Sequence, residues 1–192
     1  MVLSGWKAAL TVFVAVIGMV TAAEAQDWTE MAKKQGVHLL MRHAVAPGTG
    51  DPDDFEIGDC STQRNLSDDG KRQARRTGKT LRDAGVPIDV VLTSQWCRTR
   101  DTAELLDVAP VEDAFFLNSF FRNRSSRGRQ TQAAIDELKS LTASGQKAML
   151  VTHQVNVTAL TDIFPSSGEL ILISLNANDE VVVEGRIPPA DL

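Results

Sequence analysis

Two arginines and two histidines in this chain have the types and the spacing to handle a phosphoryl group. The stretch "GVHLLMRHA" runs an apolar segment straight into Arg42 and His43. A second apolar segment, "DVVLTSQWCR", reaches Ser94 and, a few residues on, Arg98. A third, "KAMLVTH", ends in Thr152 and His153. A guanidinium is planar and permanently charged, and its paired N–H groups match the equatorial oxygens of a phosphoryl group. A neutral imidazole, held in one tautomer through its other nitrogen, can attack phosphorus in line. A further donor stabilises charge on the transferring group. Arg42, Arg98, His43 and His153 supply all of this with no cofactor and no metal. Taken singly, an arginine at a strand end is usually a surface residue and a histidine there usually just a hydrogen-bonding one. It is the joint placement that points to a site. The chain has three histidines; His38 begins a strand and is expected to have no catalytic role.

The elements that must position these residues alternate strand and helix. Residues 37–42, 89–94 and 147–153 read as β-rich runs. A long polar loop, 44–66, leads into a helix with clear punctuation: Ser67 as N-cap, Asp68 and Asp69 in the positive first turn, Gly85 and Pro87 beyond its end. Its small face, Ala74, Gly78 and Leu81, can press on a sheet, while Lys71, Arg72, Arg75, Arg76 and Lys79 form a solvated basic face. "RTRDTAELLD" reads as a second helix. "PVEDAFFLNSFF" reads as a short strand followed by an irregular insertion. "RQTQAAIDELKSLTASG" reads as a third helix with Ala134, Leu138 and Leu141 inward, and "NVTALTDIF" as a short fourth. Two β-rich runs around 176–179 close the chain as a hairpin. The expected fold is α/β: a mostly parallel sheet with helices on both faces and an antiparallel edge. In such sheets ligands sit at the carboxyl ends of the strands, where the two arginines and two histidines fall.

The start of the chain reads as a leader. Lys7 precedes an apolar run over 8–20, and Ala23-Glu24-Ala25 fits a small-x-small cleavage pattern. Residues 1–25 are expected to be a signal peptide cleaved after Ala25, leaving 26–192 as one domain without a stable membrane span. The run is shorter than the ~20 residues that a span needs. A periplasmic or secreted location follows. The net charge of −5 argues against nucleic acid as a partner, but not against a small phosphorylated substrate, because the local charge in a cleft decides. Oligomeric state is not legible. Of the two cysteines, Cys60 and Cys97, the oxidising compartment permits a bridge; two separate buried thiols are the alternative.

Three segments carry a family resemblance. "LMRHA" resembles the Leu-x-Arg-His-Gly that opens the histidine phosphatase superfamily, also called the phosphoglycerate-mutase-like fold. "SQWCRTRDTA" resembles its Ser-x-x-x-Arg-x-x-x-Thr-Ala element, and "MLVTHQVN" its closing strand ending in His. "CSTQRNLSDDGKRQA" resembles secreted bacterial members. The likeness runs in order along the mature chain. It implies a phosphatase in which His43 becomes a phosphohistidine, Arg42 and Arg98 bind the phosphate and His153 donates to it. Arg64 and Asn156 are candidates for the rim.

The pattern is broken in two places. The glycine that follows the histidine in the family is Ala44 here, so this turn must keep a negative φ or accept strain. The glutamate that many members use as general acid aligns with Ser119 in "FFLNSFF", and Gln154 stands where others place an acid after the final His. Asp51, Asp53, Asp54, Glu112 and Asp113 are the remaining candidates, each also readable as ordinary hydrated loop. Loss of a general acid is typically worth ~10²–10⁴ in rate. It would weigh most on alkyl esters and least on aryl phosphates, anhydrides and phosphoramidates. Two other functions fit less well. A non-catalytic protein holding a phosphorylated ligand has no need of a nucleophile. A metal site on His43, His153 and the aspartates is opposed by two adjacent arginines. The stretch "FFRNRSSRGR", with four arginines, reads as a mobile surface loop or as a contact to a second anionic group.

Overall fold

A computed structural model describes residues 28–192. The apolar run, the cleavage site and the signal-peptide expectation lie outside the described residues. A short helix, α1 (28–33), leads to β1 (His38–Arg42), α2 (Asp68–Asp83), β2 (Val90–Thr93), α3 (Cys97–Leu106) and β3 (Val111–Asp113). Then follow α4 (Arg127–Ala143), β4 (Ala148–Thr152), α5 (Gln154–Thr161), β5 (Leu170–Leu175) and β6 (Val181–Ile187). The six strands form one sheet in the order β3-β2-β4-β1-β5-β6. The pairs β3–β2, β2–β4 and β4–β1 are parallel, while β5 and β6 add an antiparallel edge. Among the described residues no helix is long and apolar enough to cross a membrane.

The central strands β1, β2 and β4 are buried on both faces, which is why they read as unbroken apolar runs, while the edge strands β3 and β6 are partly exposed. Leu39, Met41, Met149 and Val151 pack toward Ala32 of α1, Leu81 of α2 and Ala103 and Leu106 of α3. Their neighbours along the strands, Leu40, Leu92 and Leu150, pack the other way, toward Ala134, Leu138 and Leu141 of α4 and Val157 and Leu160 of α5. Helix α2 begins as its sequence predicts, with the Ser67 side chain accepting from the Gly70 N–H. It lies so close to α3 that a Cβ on Gly78 would stand 1.8 Å from the Leu106 carbonyl oxygen. Helix α4 starts two residues before the sequence-predicted boundary, because a short 3-10 turn over Arg124–Ser126 runs directly into it.

Parallel pairing decides where the chemistry falls. Arg42 on β1 lies opposite Thr152 on β4, and Val151 lies opposite Thr93 on β2. The residues that follow these strands, His43, His153 and Ser94, therefore emerge at one edge of the sheet. Two hydrogen bonds extend the ladder past the strand ends: His43 N–H to Thr152 O (2.9 Å) and Ser94 N–H to Val151 O (3.2 Å). Cys60 and Cys97 are joined by a disulfide (S–S 2.01 Å). It ties the polar loop before α2 to the first residue of α3, next to Arg98. The third histidine, His38, is a packing residue: its Nε2 meets Thr142 Oγ1 (2.9 Å) and its Nδ1 accepts from the Ala148 N–H (3.1 Å).

Candidate active site

Arg42 and His43 leave β1 together but do different things. The His43 ring is buried, and its Nδ1–H donates to the Ala44 carbonyl at 2.8 Å. That bond fixes the tautomer and leaves Nε2 as a bare nitrogen. Ala44 is not among the residues with positive φ, so replacing the expected glycine brings no backbone strain. Its N–H donates to Thr102 Oγ1 on α3 (3.1 Å), and that hydroxyl donates to the Arg98 carbonyl (2.7 Å). The turn carrying His43 is thus stitched to the helix carrying Arg98.

His153 sits across from His43, the two rings meeting edge to face with centroids 5.6 Å apart. Arg98 Nη2 approaches His153 Nδ1 at 3.4 Å. A guanidinium can only donate, so Nδ1 is the unprotonated nitrogen and Nε2–H donates to Ser94 Oγ at 2.8 Å. Trp96 stands against the His153 ring, with Phe55 stacked on its far side at 4.8 Å.

Three arginines surround the two rings. Arg42 donates through Nη1 to the Pro165 carbonyl (2.9 Å). Arg64, a rim candidate from the sequence, does line the cleft. It is anchored through Nε to the Gly50 carbonyl (2.9 Å) and through Nη1 to the Ala46 carbonyl. Arg98 is only 3% exposed. The Nε–H groups of Arg42 and Arg98 are buried with no hydrogen-bond partner among the described residues. Orphaned buried donors are rare and costly, and these two belong to arginines that line the same cleft as His43.

Asp51 is the one carboxylate lining this cleft among the described residues. Both its oxygens face Arg98, at 2.6 Å from Nη1 and 3.1 Å from Nη2, and Trp96 Nε1–H donates to Oδ2 at 3.1 Å. Burial pushes the Asp51 pKa up, but the bonds and charge of Arg98 and the Trp96 N–H outweigh that and hold it below the ordinary carboxylate range. Asp51 is therefore an anion here, occupying the Nη1/Nη2 face of the Arg98 guanidinium. Nothing in the sequence separates it from Asp53 and Asp54, which are exposed and do not line the cleft. Glu112 is likewise exposed, and Asp113 pairs with Arg100.

Electrostatics keep both rings neutral. Burial first, then the Arg98 charge, push the His43 pKa down to about 3, against the raising effect of the Ala44 bond. Burial and Arg98 also hold His153 well below its ordinary value. Arg42 and Arg64 are lowered by burial and then by Arg98. The result is a cationic hollow lined by an uncharged imidazole whose Nε2 carries no proton.

One sequence expectation needs correction. Asn156 does not reach the rim. On α5 the residues facing the cleft are Gln154, Val155, Thr158 and Ala159. Asn156, Val157 and Leu160 lie on the opposite face and are buried. The Asn156 side-chain amide donates to the Asn118 carbonyl (3.0 Å), so it secures the insertion after β3. The residues missed from sequence are Trp96, Phe55 and Thr102. Ser119 does line the cleft, where a glutamate was expected. Among the described residues no group of three or more His, Cys, Asp or Glu could hold a metal ion.

Comparison with known proteins bears on this arrangement. Residues 38–113 match the model of the histidine phosphatase superfamily (branch 1). The chain is 32% identical over 91 residues to the mitochondrial serine/threonine-protein phosphatase Pgam5 of Drosophila grimshawi, covering 44% of this chain and 29% of that protein. With the Drosophila virilis counterpart it shares 33% over 76 residues, covering 40% of this chain and 24% of that one. The chain thus spans less than a third of the length of these curated relatives. Among solved structures it resembles the protein histidine phosphatase SixA complexed with tungstate: TM-score 0.59, 18% identity, 81% of this chain and 98% of that one. It also resembles a phosphoserine phosphatase mutant of Entamoeba histolytica in complex with phosphoserine: TM-score 0.58, 12% identity, 81% and 98%. At these identities the structural likeness is one of fold.

Two outcomes follow from this geometry. Asp51→Ala leaves the buried Arg98 without its counter-charge and should destabilise the ligand-free protein by about 3 kcal/mol, with phosphate binding tightened because its competitor is gone. Thermal melts with and without phosphate check this, and equal phosphate stabilisation of both proteins would contradict it. All three histidines have lowered pKa values. Each stays neutral in the folded chain while the unfolded chain takes up protons below pH ~6.5. Stability should therefore be level above that pH and fall below it, by up to about 4 kcal/mol per pH unit near pH 5. Urea titrations from pH 4.5 to 8 measure the slope.

Proposed function

We propose that the chain is a member of the histidine phosphatase superfamily, whose model matches residues 38–113, and that it is an exported phosphohydrolase working without a metal ion, through a phosphohistidine intermediate on His43. The observation that carries this reading is the His43 tautomer. With Nδ1–H committed to the Ala44 carbonyl, the bare Nε2 is the nitrogen left to attack, and burial among arginines keeps it unprotonated. A protein that only bound phosphate would not need that arrangement.

The steps follow from the charges. The phosphoryl dianion enters the hollow between Arg42, Arg98 and Arg64, and its oxygens take the Arg98 face from Asp51 and the unpartnered Nε–H groups. Burial and then the arginine charges depress His153. The dianion offsets the second of these, so that Nδ1 can take a proton from solvent and donate it in a hydrogen bond to the transferring group. His43 Nε2 attacks phosphorus in line, and the bond to the leaving oxygen breaks. Water then attacks the phosphohistidine, releasing inorganic phosphate and restoring the ring. Trp96 and Phe55 wall off one side of the site.

The leaving oxygen needs a proton, and the cleft has no neutral acid placed for it: Ser119 stands at the expected position and Asp51 is an ionised partner of Arg98. Substrates whose leaving groups depart without help fit this site best: aryl phosphates, anhydrides and phosphoramidates. Export is supported by the leader-like sequence ahead of the described residues and by the Cys60–Cys97 bridge, which suits an oxidising compartment.

Brief incubation with a labelled phosphodonor should give an acid-labile, alkali-stable label in the wild type and none in His43→Ala. Absence of label, with no aryl phosphatase activity, would favour a non-catalytic phosphoryl-binding protein. Leaving-group dependence provides a second check. We expect kcat/KM for an alkyl phosphate to lie roughly 10²–10⁴ below that for an aryl phosphate. Equal values would mean that a general acid operates, and Asp51 would then be the group in the cleft to supply it.

A further inference from the structure

The cleft, about 810 Å³, is far more cationic than one phosphoryl group requires. Six arginines line it: Arg42, Arg64 and Arg98 at the floor, and Arg122, Arg124 and Arg127 from the segment that leads into α4. Against them stands one carboxylate, Asp51, in a chain whose net charge is −5. The positive charge is concentrated where a ligand would enter.

Arg122 has a structural occupation. It donates to the Asp51 carbonyl and lies 3.4 Å from Asp53 Oδ1, so it pins the insertion to the loop that carries Asp51. Arg124 and Arg127 have no carboxylate within 4.0 Å among the described residues. Arg72, Arg82, Arg100 and Arg186 are each paired with an acidic side chain, whereas Arg75, Arg76 and Arg129 are not paired with one among the described residues. What sets Arg124 and Arg127 apart from all of these is that they are unpaired and also line the cleft.

Their position also runs against local helix energetics. Arg127 is the first residue of α4, whose opening turn contains no acidic residue, and Ser126 makes no side-chain capping bond. The Ser126 hydroxyl is turned to the Asn123 carbonyl and Gln130 Oε1 instead. Cations at a helix N-terminus oppose the dipole, and a good cap is worth keeping. The same chain follows the ordinary rule at α2, with a Ser67 cap and Asp68 and Asp69 in the first turn. The start of α4 thus lacks the features that stabilise α2, and its first residue, Arg127, lines the cleft.

We propose that Arg124 and Arg127 form a second anion subsite at the cleft mouth, so that the substrate is a small soluble phosphoester whose leaving group carries a further carboxylate or phosphate. This rests on the cleft being a phosphoryl-transfer site. The subsite sets specificity: it holds the leaving group, while the floor holds the phosphoryl being transferred.

A matched pair of esters tests it: 4-(carboxymethyl)phenyl phosphate and its primary amide, together with homologues carrying two or three methylenes to vary reach. The methylene insulates the ring, so both phenols leave about equally well and only the charge differs. We expect the ratio of kcat/KM, carboxylate over amide, to be about three- to tenfold at the best spacing, as for one or two exposed ion pairs. It should fall toward one in Arg124→Ala/Arg127→Ala and in 0.5 M salt. A wild-type ratio near one at every spacing, with good turnover of the amide, overturns the subsite and leaves the phosphatase reading intact. If neither ester is turned over, the same ratio is measured as Kd for the corresponding phosphonates by calorimetry. A preference abolished in the double variant then supports the subsite without the phosphatase, and a ratio of one overturns both.

Discussion

Crowding of like charge is the constraint on which the site depends. Three guanidinium groups are drawn to one end of the sheet, around two imidazoles that are almost fully buried. Burial first, and the arginine charges second, keep both rings from holding a proton, and Arg42 and Arg64 lose part of their preference for the charged form for the same two reasons. Asp51 relieves the crowding in the ligand-free protein: its carboxylate spans both terminal nitrogens of Arg98 with little solvent to screen it. In the mechanism we propose, the same bond makes ligand binding an exchange: an incoming phosphoryl group, with more charge and more oxygens than a carboxylate, displaces Asp51 and takes up the Nε–H groups that the protein leaves unpaired.

The scaffold's task is to hold that unfavourable arrangement in place. Parallel pairing of β1, β4 and β2 brings three strand ends level, and the cleft opens where they stop. Fastenings around it are short and come from different parts of the chain. Gln63 accepts from the Cys97 N–H (2.9 Å), and the disulfide lies beside this contact. Gln73 on α2 accepts from the Val45 N–H and donates to the Ser167 carbonyl, both at 3.0 Å. Gln130 on α4 donates to the Asn118 carbonyl at 2.7 Å and so fixes the insertion that carries Ser119. The segment joined by the disulfide is the resembling stretch "CSTQRNLS". Its contribution is mechanical through Gln63 and electrostatic through Arg64.

Much of this was legible in the sequence, for identifiable reasons. The central strands are buried on both faces and so appear as uninterrupted apolar runs, and α2 carries its cap, first-turn acids and terminating glycine in plain order. Arg42, His43, Arg98 and His153 could be picked out because strand ends in an α/β sheet converge. What escaped depended on tertiary direction. Asp51 sits in a loop with two other aspartates, and only the fold shows which one meets Arg98. Asn156 follows His153 closely in sequence, but the first turn of α5 rotates it away from the cleft toward the core. Trp96 and Thr102 belong to the segment around Arg98, yet their contacts, to Asp51 and to the Ala44 N–H, cross between distant parts of the chain. Ala44 was a departure whose cost could not be read from sequence; its negative φ shows that the turn never needed glycine.

In the proposed reaction His43 Nε2 faces the phosphorus of an anion held by Arg42 and Arg98, with Asp51 giving way. A crystal structure of the protein with vanadate tests this most directly. We predict vanadium bonded to His43 Nε2, its oxygens on Arg42, Arg98 and His153, and the Asp51 carboxylate moved off at least one terminal nitrogen of Arg98. Vanadate bound elsewhere in the cleft, with His43 out of reach and the Asp51–Arg98 pair undisturbed, would contradict the account.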